Sequence, residues 1–434
     1  MGFICFYKIV FLKAPLWAFF IRQCLQQCYD ACFLFTLIVM KHFTLRQKIT
    51  VISSLAFNPL AGAAIDIYVP SMTSIAHYFQ TDRQTIQLTI AAYMLGFGIF
   101  QFFSGILSDR FGRRPLMTIG LILMIGFSLL AAFAPTESIL LVARFLQGLA
   151  MATVASACRA VFTDLYEGKA YQKIALYFNL LWSLGPILAP FIGGYLQHFF
   201  GWRAPLCFLA LYAFIVLVPH VYTVESIQQK HSLHPKVWGG NIKTIVSHRL
   251  FWVYTTVVMM VYGAIITFNT VGPFLIQGTL HYSPIVFGRI GLAIGMAMFL
   301  GTTLARMLIR FSQDQRLVVG LTIATVGIIG MLLWQGFFPP MSLWSISIPM
   351  WFIILGCGTS FPCAYAGGLS LFPKMGGTCG ALLGTFMVVG TSLIGAASAL
   401  LHTQTVLPLA LAFLGLFAVC WIVMVGCFAI KPKE

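Results

Sequence analysis

Along most of this chain apolar residues run for about twenty positions at a time, the length that crosses a bilayer as a helix. Short clusters of Arg, Lys, Gly and Pro interrupt these runs. The interruptions predict twelve spans, at roughly 49–71, 85–107, 115–134, 138–162, 172–196, 204–222, 250–275, 285–308, 317–335, 345–370, 378–401 and 406–429. The longest polar segment carries Lys230, Lys236, Lys243 and Arg249 and separates two sets of six. The expected division is an N-terminal extension and tail at 1–48, a six-helix half at 49–222, a cytoplasmic linker at 223–249, a second half at 250–429 and a tail at 430–434.

Composition sharpens this reading. The 434 residues are 60% hydrophobic and 8% charged, whereas a soluble domain has about 25% charged residues. The expected class is all-α integral membrane, with twelve transmembrane helices in two six-helix halves. The formal net charge of +16 gathers in loops on one face, at Lys41–Lys48, Arg110–Arg114, Lys169–Lys173, Lys230–Arg249, Arg310–Arg316 and Lys374. The opposite face shows Arg83 and Arg203. Short basic loops face the cytoplasm, so both termini are expected there. No stacking aromatics accompany a basic patch in a soluble segment, so no nucleic-acid partner is expected.

The eleven cysteines form no C-x-x-C pair. Cys24, Cys28 and Cys32 share a helical face without a nearby histidine, and His231 and His234 share a loop without a cysteine. Neither a metal site nor structural disulfides are predicted. Residues 1–39 lack a clean apolar run and an obvious cleavage site. Lys41, Arg46 and Lys48 read as an ordinary basic tail, so the native chain is expected to start at Met40.

The most specific motif joins spans two and three. Gly105-Ile-Leu-Ser-Asp109-Arg110-Phe-Gly112-Arg113-Arg114 fits G-x-L-x-D-R-x-G-R-R at every fixed position. Gly105 permits close helix approach. Asp109 suits a neighbouring helix N-terminus, where a carboxylate is favoured. Arg110, Arg113 and Arg114 either pair with it or anchor at the interface. Arg144-Phe-Leu-Gln147-Gly148 opens span four, and an arginine inside a membrane helix is costly. Gly185-Pro186-Ile-Leu-Ala-Pro190-Phe-Ile-Gly193-Gly194 lies in span five, where prolines bend a helix and glycines let it pack tightly.

Together these stretches resemble the major facilitator superfamily. Asp66-Ile-Tyr68-Val-Pro70, Arg159-Ala-Val-Phe-Thr-Asp164-Leu, Ser283-Pro284, Phe287-Gly288, Phe361-Pro362 and Ala381-Leu-Leu-Gly384 are similar to its bicyclomycin/chloramphenicol resistance (Bcr/CflA) branch of drug:proton antiporters. The resemblance implies the major facilitator fold and a bacterial inner-membrane location. It implies export of drug-like small molecules driven by the proton gradient, without a cofactor, by a monomer in the lipid bilayer. It makes the loop at Gly105–Arg114 a conformational latch and the span-five motif an antiporter element. Leu304-Ala305-Arg306 occupies the corresponding place in the second half. There Arg306 replaces the aspartate, so one working latch is expected.

Asp66 is the candidate proton carrier. Only ten residues are acidic, and nearly all the others fall in loops or at span ends. Arg144 is expected at similar depth, so the two form either a permanent structural pair or a proton-coupling pair. Asn58 stands where some multidrug antiporters of the superfamily carry a second acid. One proton per cycle and neutral or zwitterionic substrates follow as expectations. Arg159 lies about 22 Å beyond Arg144 along span four at 1.5 Å per residue. Its role is structural or gating, with Asp164 or Glu167 as partner. Asn58, Tyr68, Tyr93, Gln147, Asn179, Trp182, Tyr262, Asn269, Phe274 and Tyr365 are candidate cavity residues. The competing readings are an exporter of one endogenous metabolite such as a siderophore, amino acid or peptide, a membrane-embedded enzyme, and a channel.

Overall fold

Each apolar run folds as a helix because hydrocarbon offers no partner to backbone N–H and C=O groups. A computed structural model of the protein describes residues 44–226, 235–337 and 341–428. The expectations about Met40, Cys24, Cys28, Cys32, His231, His234 and the C-terminal tail lie outside the described residues.

Span one is the helix Leu45–Asp66, continued by the turn Val69–Ser71 and the helix Met72–Phe79. Spans two to six are Arg83–Phe111, Arg113–Ala132, Glu137–Leu165, Gly168–Phe200 and Ala204–His220. Span seven is Arg249–Pro273, prolonged by a wider turn over Phe274–Thr279. Spans eight to twelve are Pro284–Met307, Gln313–Phe337, Leu343–Ser370, Gly376–Ser398 and Leu407–Phe428. Ten of these are individually long and apolar enough to cross a bilayer. Spans five and six meet at 119° around Gly201, whose φ of +82° suits glycine. At 33 residues, span five alone reaches about 50 Å. The polar segment between spans six and seven contains a helix that the hydrophobic pattern did not predict, Pro235–Val246.

Several helix starts carry their own caps. The Thr44 hydroxyl accepts from Gln47 N while the Gln47 side chain returns to Thr44 N, and Ser342 and Ser345 do the same. These reciprocal bonds satisfy N–H groups that the helix leaves open.

The two halves repeat one packing scheme. A Cβ on Gly148 of span four would run into the Tyr93 carbonyl of span two. A Cβ on Gly301 of span eight would run into the Leu355 carbonyl of span ten. Such backbone approaches need a residue without a side chain. The halves touch along spans two and eleven, where Gly98 faces Val388 and Val389, and along spans five and eight.

Every described hydrogen bond between the halves lies from mid-span toward the end that bears Arg83. Thr73 Oγ1 donates to Gln277 Oε1 at 3.1 Å, and Gln277 Nε2 to Pro70 O at 3.1 Å. Gln87 Nε2 reaches Thr270 O at 2.9 Å, and Ser392 Oγ reaches Ala91 O at 2.8 Å. Arg83 Nη1 donates to Thr403 Oγ1 at 2.5 Å and Arg289 Nη2 to Tyr195 Oη at 3.3 Å. The halves are thus sealed at the Arg83 end.

Two glycines give a matched test. Gly148→Val overpacks spans two and four and is expected to cost about 1–3 kcal/mol, lowering the midpoint of thermal unfolding in detergent. Gly105→Ala meets no atom within 4 Å and is expected not to lower that midpoint.

Candidate functional site

The latch loop turns at Gly112, whose φ is +106° and whose Cβ would meet Glu225 Oε2. The turn starts span three at Arg113, with Arg113, Arg114 and Pro115 in its first turn and no acid there. A helix start holds unpaired N–H groups and partial positive charge. Glu225, just after span six, meets that need. Its Oε1 accepts from Arg113 N at 2.8 Å and its Oε2 from Arg114 N at 3.1 Å. Asp109 does not occupy a neighbouring helix start, as its motif position suggested. It pairs with the Arg113 guanidinium one turn along the chain.

Arg113 gathers the rest of the clamp. Its Nε lies 3.1 Å from Asp164 Oδ2 and its Nη1 donates to Ser108 Oγ at 2.9 Å. Ser226 Oγ also donates to Asp164 Oδ2, at 2.9 Å. Asp164 is therefore occupied by Arg113 and Ser226, and Arg159 pairs with neither Asp164 nor Glu167. Its Nε donates instead to Ala155 O of its own helix at 3.3 Å. Arg114 Nη2 ties to Val221 O at 2.7 Å, and Arg110 lies exposed over Phe111. Gly105 serves no close approach, since a Cβ there would meet open space. In the second half, among the described residues, no ion pair forms around Arg306, and Arg316 Nη1 reaches only Ala305 O at 3.3 Å.

Asp66 ends the first helix of span one, where the chain turns through Tyr68 and Pro70. Pro70 lacks an N–H and cannot continue the ladder. The break leaves Asp66 buried at 8% exposure and directed across the molecular midline. Asn269 Nδ2 of span seven donates to Asp66 Oδ1 at 2.6 Å.

The expected Asp66–Arg144 pair is not formed. Arg144 is fully buried, and its guanidinium lies between the rings of Tyr68 and Tyr93, 4.6 and 4.5 Å from their centroids. Nη1 donates to Gln147 Oε1 at 2.7 Å and to Ala64 O at 3.3 Å. Gln147 Nε2 in turn donates to Ser128 Oγ at 2.6 Å. Ring faces attract a dehydrated cation by about 2 kcal/mol. Two rings, an amide and a carbonyl stand where a counter-ion was expected. Among the described residues the Nε and Nη2 atoms have no hydrogen-bond partner.

The cavity candidates divide accordingly. Tyr68, Tyr93 and Gln147 build the Arg144 cage, and Asn269 holds Asp66. Asn58 donates to the Phe178 carbonyl of span five, so its amide serves packing between spans one and five. Tyr262, Phe361 and Tyr365 form an aromatic row, with successive centroids 6.0 Å apart. Phe274 lies elsewhere. With Thr73, His77 and Arg83 it lines a cleft of about 420 Å³ at the Arg83 end. The side chains of Asn179 and Trp182 lie outside the described residues.

The span-five motif is a packing seam. A Cβ on Gly185 would approach Pro59 O of span one at 2.6 Å, and one on Gly193 would strike the Ile67 carbonyl. Gly194 faces Pro284 O, and Pro190 faces Gly288 and Gly291 of span eight. Gly185 and Gly193 therefore serve the first half, whereas Pro190 and Gly194 serve the contact between halves.

Sequence reasoning missed Glu225 and Ser226. The available signal was a helix opening on two arginines without an acid of its own. Glu225→Ala is expected to cost about 0.5–2 kcal/mol, the range for losing an N-terminal cap, seen as a lower thermal midpoint. Glu225→Gln, which keeps an accepting oxygen, is expected to recover part of the loss.

The chain is similar to bacterial resistance proteins over most of its length. It is 27% identical over 361 residues to multidrug resistance protein D of Escherichia coli (strain K12), covering 82% of this chain and 90% of that protein. It is 25% identical over 367 residues to a chloramphenicol resistance protein of Pseudomonas aeruginosa, covering 83% and 86%. It is 23% identical over 371 residues to a bicyclomycin resistance protein homolog of Haemophilus influenzae, covering 84% and 93%. The fold matches a solved D-xylose-proton symporter with a TM-score of 0.71 at 15% identity, over 87% of this chain and 96% of that one. The sequence model of one family covers residues 59–393, well over half of the chain, and the protein therefore belongs to the Major Facilitator Superfamily.

Proposed function

We propose that this protein is a proton-coupled exporter of drug-like small molecules, working by alternating access with Asp66 as its proton carrier. The observation that carries this reading is the buried Asp66 carboxyl at a contact between the halves. A titrating group there has different partners when the halves rock, so its charge can bias which way the cavity faces. The resistance proteins among its relatives support drug-like molecules as cargo.

In the arrangement described here the halves are sealed at the Arg83 end. By the positive-inside rule that end faces outward, and the clamped, arginine-rich end and both termini face the cytoplasm. A carboxyl held by Asn269 needs no cation beside it, which suits a proton-loaded Asp66 in the inward-facing state. Substrate entering from the cytoplasm displaces the proton. An ionised Asp66 then gains by leaving Asn269 for the open Nε–Nη2 edge of Arg144, because in a low-dielectric interior a full positive charge attracts the carboxylate more strongly than an amide dipole does. That exchange accompanies rocking toward the outside. The protein acts as a monomer in the bacterial inner membrane, and it moves its substrate without changing it.

Everted vesicles with an imposed proton gradient test the assignment. Wild type is expected to release protons when chloramphenicol or bicyclomycin is added, and Asp66→Asn, whose amide cannot ionise, is expected to lose most of that release. Unchanged release in the variant would overturn the carrier role.

A further inference from the structure

Arg159 is a charge within a span that the clamp and the Asp66 site leave unused. It is exposed although it lies within a span. Its described hydrogen bond goes from Nε to Ala155 O of its own helix, so the terminal nitrogens have no described partner. Among the described residues it makes no ion pair. Asp164, the nearest acid along its helix, is taken by Arg113 and Ser226.

Tyr365 of span ten lies within electrostatic reach of the Arg159 guanidinium. The two lie at matching depth. Arg159 is six residues from the end of its helix at Leu165, and Tyr365 is five from the end of its helix at Ser370. Each is therefore about 8–9 Å from the latch end. No described hydrogen bond joins spans four and ten there. Tyr365 stacks on Phe361 at 22° between ring planes, and Phe361 meets Tyr262 at 45°. Tyr262 in turn lies within electrostatic reach of Asp66. One aromatic row thus leads from a free guanidinium near the latch end to the acid at mid-span.

A free guanidinium fork matches a carboxylate, and ring faces beside it match a flat apolar body. With the first acid along this path being Asp66, a cation meets like charge at the mouth. We propose that Arg159, Tyr365 and Phe361 form an entry subsite for aromatic carboxylates, Arg159 holding the carboxylate while the rings hold the aromatic body. This rests on the exporter reading for its meaning but not for its test, which needs neither a proton gradient nor transport.

The test is calorimetric titration of the full chain in lipid nanodiscs with three ligands of one shape: 2-naphthoate, 2-naphthamide and 2-naphthylmethylamine. Wild type is expected to bind naphthoate about tenfold more tightly than naphthamide, because the guanidinium meets a full negative charge rather than an amide dipole, and the amine most weakly. Arg159→Gln is expected to bring naphthoate down to the naphthamide level while leaving naphthamide unchanged, a loss that general misfolding would not produce. Tyr365→Leu is expected to weaken both about equally. Equal binding of the three by wild type, a preference for the amine, or an undiminished naphthoate preference in Arg159→Gln would each overturn the subsite. Should that variant fail to fold, Arg159→Lys takes its place, with the naphthoate preference reduced but retained; loss of the preference there, or its absence in wild type, is the refuting result. Binding as expected without any naphthoate efflux from cells would leave the subsite standing and count against the exporter reading.

Discussion

The break in span one is the constraint on which the rest of the interior depends. A helix crossing hydrocarbon satisfies its own backbone, but Pro70 cannot donate and the ladder ends near Asp66. Polar groups around the break need partners at membrane depth, and span seven supplies them to the Thr73 and Asp66 side chains and to the Pro70 carbonyl. Gln277 accepts from Thr73 and donates to the Pro70 carbonyl, while Asn269 donates to Asp66. Span seven is itself widened over Phe274–Thr279. Two imperfect helices, each the first of its half, complete one another. Their partnership seals one end of the molecule and places its central acid on the dividing plane.

The opposite end is held by different means. Around Gly112 the bonds are ionic and lie within the first half: Arg113 with Asp109 and Asp164, and Glu225 on the start of span three. The seal at the Arg83 end is built mainly from amides and hydroxyls that cross between halves. An ionic clamp confined to one half braces that half as a rigid body. A crossing seal of single bonds, most of them neutral and worth about 1 kcal/mol net each, can be made and broken as the halves rock. Between the two ends Arg144 is held by ring faces rather than a carboxylate, which leaves Asp66 free to choose its partner.

Much of this was legible in the sequence. The twelve apolar runs follow directly from the length of a bilayer-crossing helix. The latch and span-five motifs were recognisable because their glycines, prolines and arginines are rare combinations in a greasy chain. Asp66 stood out for a similar reason, as an acid within an apolar run. The partners were not legible. Asp66 and Arg144 share a depth, and a one-dimensional reading pairs opposite charges at equal depth. Side-chain direction decides otherwise, since the break at Asp66 turns its carboxylate toward span seven while Arg144 enters a tyrosine sandwich. Gly105 shows the same limit, because a glycine announces room for an approach but not whether a neighbour comes.

What the sequence by itself determined was therefore the membrane setting, the span count and the stock of rare polar residues, because the cost of polar groups in hydrocarbon acts on each segment separately. What only the tertiary structure decided was who meets whom: Asn269 with Asp66, the tyrosines with Arg144, Glu225 with the start of span three, and Arg159 with an open aromatic row. The first three of those meetings depend on how helices distant in the chain are rotated and packed, and the placing of Arg159 near Tyr365 is of the same kind. Hydropathy carries little record of that rotation, because a span buried on several sides is apolar nearly all the way round.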